Sequence, residues 1–202
     1  MITINQRFHH FDPHIALGYD DVDDDSTADR AYLIIPKSAS STILDIFHAD
    51  LTGWNCEDVS ISASTSNNLP STVRHKFYVI RNPVDRAMSM YMMLKRNGIP
   101  YIEMTPDTTF DEYLEFVDTQ LPLPDCDPHF RPHSDFIARL SENHGFECVL
   151  LENLDEYLIK IGCTPEHINI TETATPEVSD KAIEDINRMY AIDCELYKAN
   201  NR

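Results

Sequence analysis

AYLIIPKSASSTILDIF, residues 31–47, is the stretch whose reading decides the fold. Its first five residues are a short apolar run that stops at Pro36, the pattern of a buried strand. Ile43, Ile46, Phe47 and, just beyond, Leu51 then recur at helical spacing. Between strand and helix lies the polar loop PKSASST, residues 36–42: Pro36, Lys37, Ser38, Ala39, Ser40, Ser41 and Thr42. A strand that enters a helix through such a loop leaves backbone N–H groups and the positive helix end facing it, which suits phosphate or sulfate. Lys37 adds a point charge, and Ser38, Ser40, Ser41 and Thr42 add hydroxyl donors. The glycines of G-x-x-x-x-G-K-S/T are missing, which disfavours an ordinary ATP or GTP loop.

The same arrangement recurs downstream. KFYVI, residues 76–80, reads as a strand and runs into RNPVDRAMSMY, residues 81–91. Asn82 is a natural N-cap, Pro83 fits the first helical position, and Asp85 suits the positive helix end. Val84, Ala87, Met88, Tyr91 and Leu94 form one buried stripe, with Arg86, Ser89 and Met93 off it. Arg74, Lys76, Arg81, Arg86, Lys95 and Arg96 face a single acid, Asp85, in a chain of net charge -18. A bound polyanion accounts for such a concentration, because Arg forks onto phosphate oxygens and a helical Ser can bond the same group.

Thr109 and Glu112 form a capping box ahead of a helix with Phe110, Tyr113, Leu114 and Val117 on one face. ECVLL, residues 147–151, reads as a buried strand leading into the helix EYLIKI, and Pro176 opens a last helix reaching about Tyr197. Strands alternating with helices predict a single α/β domain over residues 31–202, a largely parallel sheet flanked by helices with a P-loop-like strand–loop–helix nucleotide site. Residues 1–30, with seven acids, three histidines and little periodicity, are expected as an extended acidic arm. Their aspartates do not make a calcium loop, since Ser26 and Tyr32 stand where Gly and Glu are required. A metal site at His9, His10 and His14 is a lesser alternative to a plain polar arm.

Composition sets the outer bounds. The 202 residues suit one domain, and 42% apolar with 25% charged residues is ordinary globular usage. Thirty-four acids against 16 bases argue against nucleic acid and anionic membranes as partners. Five cysteines, with no C-x-x-C, read as reduced thiols, and no window approaches the ~20 apolar residues of a membrane span. The expectation is a soluble cytoplasmic chain, or a Golgi-lumenal one only if an anchor has been removed.

These residues resemble the PAPS-dependent sulfotransferases, in particular the carbohydrate branch; PAPS is 3'-phosphoadenosine-5'-phosphosulfate. That family has a P-K-S/T-x-S/T loop for the 5'-phosphosulfate and an R-x-P-x-x-R-x-x-S-x-Y segment for the 3'-phosphate. Pro36, Lys37, Ser38, Ser40, Ser41 and Thr42 match the first; Arg81, Pro83, Arg86, Ser89 and Tyr91 match the second. DPHFRPHSDFI (127–137) resembles its D-x-H-W-x-P-Q segment, with Phe130 for Trp and His133 for Gln. LLENLDEYLIKIG (150–162) looks like its F-E-N-L stretch, and Tyr190, Asp193, Leu196 and Tyr197 fit its closing Y-x-x-D-x-x-L-Y. The resemblance implies sulfuryl transfer from PAPS to a hydroxyl, with Lys37 stabilising charge on the bridging oxygen and no metal required. Arg81 and Ser89 would hold the 3'-phosphate, and Arg86 would either contact the ligand or brace the helix.

An acceptor hydroxyl needs a base, and His129, the histidine of the D-x-H pattern, is preferred over His133. Cys126, His129 and His133 also have metal-ligand spacing, but no fourth ligand is near and Pro132 interrupts a helix. Trp54, Tyr101, Phe110 and Phe130 could stack on a sugar, though core packing is the plainer role. Eight acids and no base between Glu103 and Asp127 would repel a sulfated polymer, so a neutral carbohydrate or small alcohol is the expected acceptor. The rival classes are a nucleotide-dependent kinase and a noncatalytic nucleotide-binding module.

Overall fold

The computed structural model describes residues 2–4, 13–18, 28–47, 60–62, 69–96, 98, 102–140, 145–165 and 177–201. His9, His10, Leu51, Trp54, Tyr101 and Pro176 lie outside them. In chain order the strands are β1 (Ile2–Ile4), β2 (His14–Gly18), β3 (Arg30–Leu33), β4 (Ser60–Ser62), β5 (His75–Ile80), β6 (Ile102–Met104) and β7 (Glu147–Leu150). The helices are α1 (Ser40–Ile46), α2 (Pro83–Arg96), α3 (Phe110–Gln120), α4 (His133–Ile137), α5 (Leu154–Lys160), α6 (Asp180–Met189) and α7 (Ala191–Asn200). Within this α/β fold the chain forms two compact units. A sheet unit comprises Asp12–Ile80 and Asp135–Thr171; a helical unit comprises Met1–Phe11, Arg81–Ser134 and Glu172–Arg202.

The sheet unit holds five strands in the order β4-β2-β3-β5-β7. β3, β5 and β7 are parallel neighbours, in register at Tyr32↔Phe77 and Tyr78↔Cys148. β2 runs antiparallel to both β3 and β4, so the sheet is mixed, and the expectation of a largely parallel sheet is corrected at β2, the one reversed strand of the five. The physical reason is connection length. A parallel step needs a crossover of a dozen or more residues, which β3 to β5 and β5 to β7 have, whereas residues 19–29 between β2 and β3 fall short of it.

β3 is buried along its whole length, as expected of a parallel strand covered on both faces. Tyr32, Phe77, Val79, Val149 and Leu158 pack with Ile43 and Leu44 of α1. The Tyr32–Phe77 and Phe77–Tyr157 ring centroids are 5.3 and 4.9 Å apart. Ile15, Ala16 and Leu17 of β2 are buried too, and so are Ala28–Arg30 by residue. The expected acidic arm is therefore corrected at these residues. HIALG carries too few apolar positions to show a period, and its burial comes from pairing with strands far along the chain.

In the helical unit the local signals hold. Val84 N–H donates to Asn82 Oδ1 at 2.9 Å, and Arg86 N–H donates to the Asn82 carbonyl at 2.9 Å, so Asn82 caps α2. Glu112 N–H donates to Thr109 Oγ1 and Thr109 N–H to Glu112 Oε2, closing the expected capping box. The expected single C-terminal helix is two, broken at Tyr190. No Gly or Pro marks that break; the turn buries the Tyr190 ring, whose hydroxyl donates to the Phe130 carbonyl at 2.8 Å. Part of the acidic stretch is spent on packing partners, since Glu115 and Asp118 of α3 pair with Lys181 and Arg188 of α6. None of the helices among the described residues is long and apolar enough to cross a membrane.

Candidate functional site

In the sheet unit, β3 delivers the buried Ile35 to a turn in which Ser38 N–H donates to the Ile35 carbonyl at 3.3 Å. Pro36 occupies the first central position of this turn and Lys37 the second, where φ is 66°. That is the signature of a type II turn, whose second central residue is ordinarily Gly because φ is positive. Ala39 is also left-handed, at φ 61° and ψ 17°, with Ser38 between them outside that region. The Ser38 N–H between them is taken by the Ile35 carbonyl, so the two left-handed residues shape the turn. Each left-handed L-residue costs roughly 1–2 kcal/mol, so the loop holds strain at Lys37 and Ala39. α1 has only seven residues, and the loop rather than the helix dipole carries the electrostatics.

The loop is braced from below. The Tyr32 hydroxyl donates to the Ser38 carbonyl at 3.0 Å and lies 3.1 Å from Ser40 Oγ. Ser40 Oγ in turn donates to the Ile35 carbonyl at 2.6 Å. Burial pushes the Tyr32 pKa up to about 12, against the Ser40 and Ile35 hydrogen bonds, so the phenol keeps its proton as a donor. Ser40 thus braces the loop, its hydroxyl donating to the Ile35 carbonyl. Ser38 is fully buried, Lys37 and Thr42 are half-buried, and Ser41 is exposed. Tyr32 escaped the sequence reading because a strand tyrosine carries no signal of the loop its hydroxyl reaches.

In the helical unit, Arg81 directly precedes the Asn82 cap and is half-buried. Burial works hardest against its charge, the Asp85 carboxylate supports it and Arg86 opposes it, holding the guanidinium below its ordinary value. Arg86 is buried at 4% exposure, in electrostatic range of Tyr113, Tyr190 and His133, which favours the bracing role. Ser89 is half-buried on α2, one turn beyond Asp85. The remaining bases disperse: Arg74 precedes β5, Lys76 is its second residue, and Lys95 and Arg96 stand at the C-terminal turn of α2, where they suit its dipole. The charge concentration seen in sequence thus reduces to Arg81 and Arg86.

The two histidines differ sharply. His129 Nδ1 lies 2.8 Å from Asp127 Oδ1, which also accepts the His129 backbone N–H at 2.8 Å, and the ring keeps 20% exposure. His133 is 1% exposed, and its Nδ1 is 3.3 Å from Asp193 Oδ2. Asp193 accepts the backbone N–H groups of His133 and Ser134 at 2.6 and 2.9 Å, capping α4. Burial first, then Arg86, lower the His133 pKa to about 4 against the Asp193 contact, so the ring is neutral near pH 7. Burial tends to raise Asp193, but the His133 ring and the two backbone donors outweigh it and hold the carboxyl below the ordinary range. His133 is a core residue held by Asp193, while Tyr190 of the same closing motif bonds the Phe130 carbonyl. Cys126 is buried with its thiol toward the Asp127 carbonyl, and among the described residues no group of three or more His, Cys, Asp or Glu side chains is placed to hold a metal ion. Phe110 and Phe130 are buried in the core of this unit.

No family model matches the chain, and no curated protein or solved structure is found similar to it.

Proposed function

We propose that the chain transfers a sulfuryl group from PAPS to the hydroxyl of a neutral carbohydrate or small alcohol. The observation that carries this reading is Lys37 at φ 66°, a charged residue held where the turn favours Gly. A loop that keeps a lysine against its own backbone preference has a use for the charge. In this reading the loop of residues 36–42 takes the 5'-phosphosulfate, through Lys37, backbone N–H groups and the Ser41 and Thr42 hydroxyls. Arg81 with Ser89 takes the 3'-phosphate, and Arg86 holds α2 in place. The acceptor oxygen forms the new S–O bond as the bridging S–O bond to phosphate breaks, and its proton passes to His129. Lys37 stabilises charge gathering on the departing oxygen, so positioning and electrostatics do most of the work and no metal is called for.

The test is single-turnover transfer of labelled sulfate from PAPS to a panel of neutral sugars and alcohols, without added metal. Labelled product is expected with the parent chain and a loss of at least 100-fold with Lys37→Ala. Transfer of the γ-phosphoryl group of ATP in the presence of Mg²⁺, with no transfer from PAPS, would replace this reading by the kinase alternative.

A further inference from the structure

We infer that Asp127 is a positioning residue that fixes His129 as the Nδ1–H tautomer and so leaves Nε2 as the proton acceptor; its catalytic meaning rests on the reading proposed above. Asp127 is 2% exposed, and its Oδ1 takes both the backbone N–H and the ring Nδ1 of His129 at 2.8 Å. An ionised carboxylate can only accept, so a neutral imidazole at that distance must place its hydrogen on Nδ1. The double contact to one residue fixes the ring's rotation as well as its tautomer. Among the described residues Nε2 has no hydrogen-bond partner, while the ring retains 20% exposure.

The second carboxylate oxygen supplies an independent observation. Asp127 Oδ2 is buried with no hydrogen-bond partner among the described residues. A buried acceptor left unpaired disfavours the folded state, and a purely structural turn would be served by an Asn or Ser at that position. A carboxylate 2.8 Å from the His129 ring nitrogen is instead suited to stabilise the imidazolium that forms when His129 takes a proton. The step is balanced: Nε2 receives the acceptor's proton, Nδ1 keeps its own, and Asp127 remains ionised throughout. The same logic of an orienting carboxylate behind a histidine base recurs on unrelated folds.

The experiment is ¹⁵N-histidine ring NMR on the full ligand-free chain above the titration of its imidazoles, joined to transfer assays. His129 is expected as a single Nδ1–H tautomer in the parent. In Asp127→Ala it is expected to relax toward the Nε2–H form that free imidazole side chains prefer. Asp127→Asn, which keeps an acceptor oxygen at the same place, guards against failure to fold. It is expected to retain Nδ1–H yet transfer sulfate at least 10-fold more slowly, with donor affinity unchanged. An Nε2–H tautomer in the parent would overturn the inference, and so would a parent-level transfer rate in a folded Asp127→Ala. A parent chain that transfers nothing while Asp127→Ala still switches the tautomer would uphold the positioning relation and remove the sulfuryl reading, so the two failures are distinguishable.

Discussion

At the scale of single residues, the loop sets backbone preference against side-chain chemistry. Glycine at position 37 would remove the roughly 1–2 kcal/mol left-handed cost and lose part of that gain to the greater freedom of the unfolded chain. Lys37→Gly is therefore expected to raise stability by about 0.5–1 kcal/mol in urea denaturation while weakening donor binding at least 10-fold in calorimetry. Ala39→Gly is expected to give the same gain with donor affinity kept, because Ala39 supplies only its backbone. If Lys37→Gly binds donor as the parent does, Lys37 leaves the site. Tyr32→Phe removes the hydroxyl under the loop and is expected to cost about 1 kcal/mol, since the Ser38 carbonyl loses its buried donor. The charge at Lys37 could be read from the sequence; its strain could not, because φ at one position is set by a turn that Pro36 and the Ile35 carbonyl close together.

At the scale of elements, α2 is anchored by the cap that follows Arg81. Asn82→Ala is expected to lower stability by about 1 kcal/mol, and Asn82→Asp, which restores an acceptor, to lower it little, as thermal melting would show. The cap of α4 makes a pH-dependent claim. Because the His133 pKa is depressed in the folded state, its contribution is fully present above 6.5 and is lost as pH falls toward about 4. Asp193, also held below its ordinary value, acts in the same direction at lower pH. The stability curve is expected to fall by up to about 3 kcal/mol across that window and to be visibly shallower in His133→Gln; an unchanged slope would show that His133 is not neutral and buried.

Elements announced by local signals were legible beforehand: β3, the loop, β5, the Asn82 cap, the Thr109 box and β7. Those made by distant partners were not. β2 needs its antiparallel neighbours, the break at Tyr190 comes with a hydroxyl contact to the distant Phe130 carbonyl, and the choice between ligand contact and bracing for Arg86 turns on burial among residues far along the chain. Within the candidate site, Lys37, Arg81 and His129 could be named from residue type and place along the chain. Tyr32 and the bracing role of Ser40 depend on contacts that no spacing encodes.

At the scale of the whole molecule, a chain of net charge -18 repels anions at long range, so any anion it holds must be gripped by short, desolvated contacts. In the proposed function that grip is built for a nucleotide carrying a 3'-phosphate as well as a 5'-phosphate. The most direct measurement is thermal melting with 3'-phosphoadenosine-5'-phosphate, with AMP as the control, both without metal. At 100 times its dissociation constant a ligand adds about 2.7 kcal/mol, and a chain of this size gains roughly 2–4 °C per kcal/mol. The bisphosphate is expected to raise the melting temperature by about 5–10 °C, and AMP at the same concentration by much less. No shift with the bisphosphate, or an equal shift with AMP, would contradict the account.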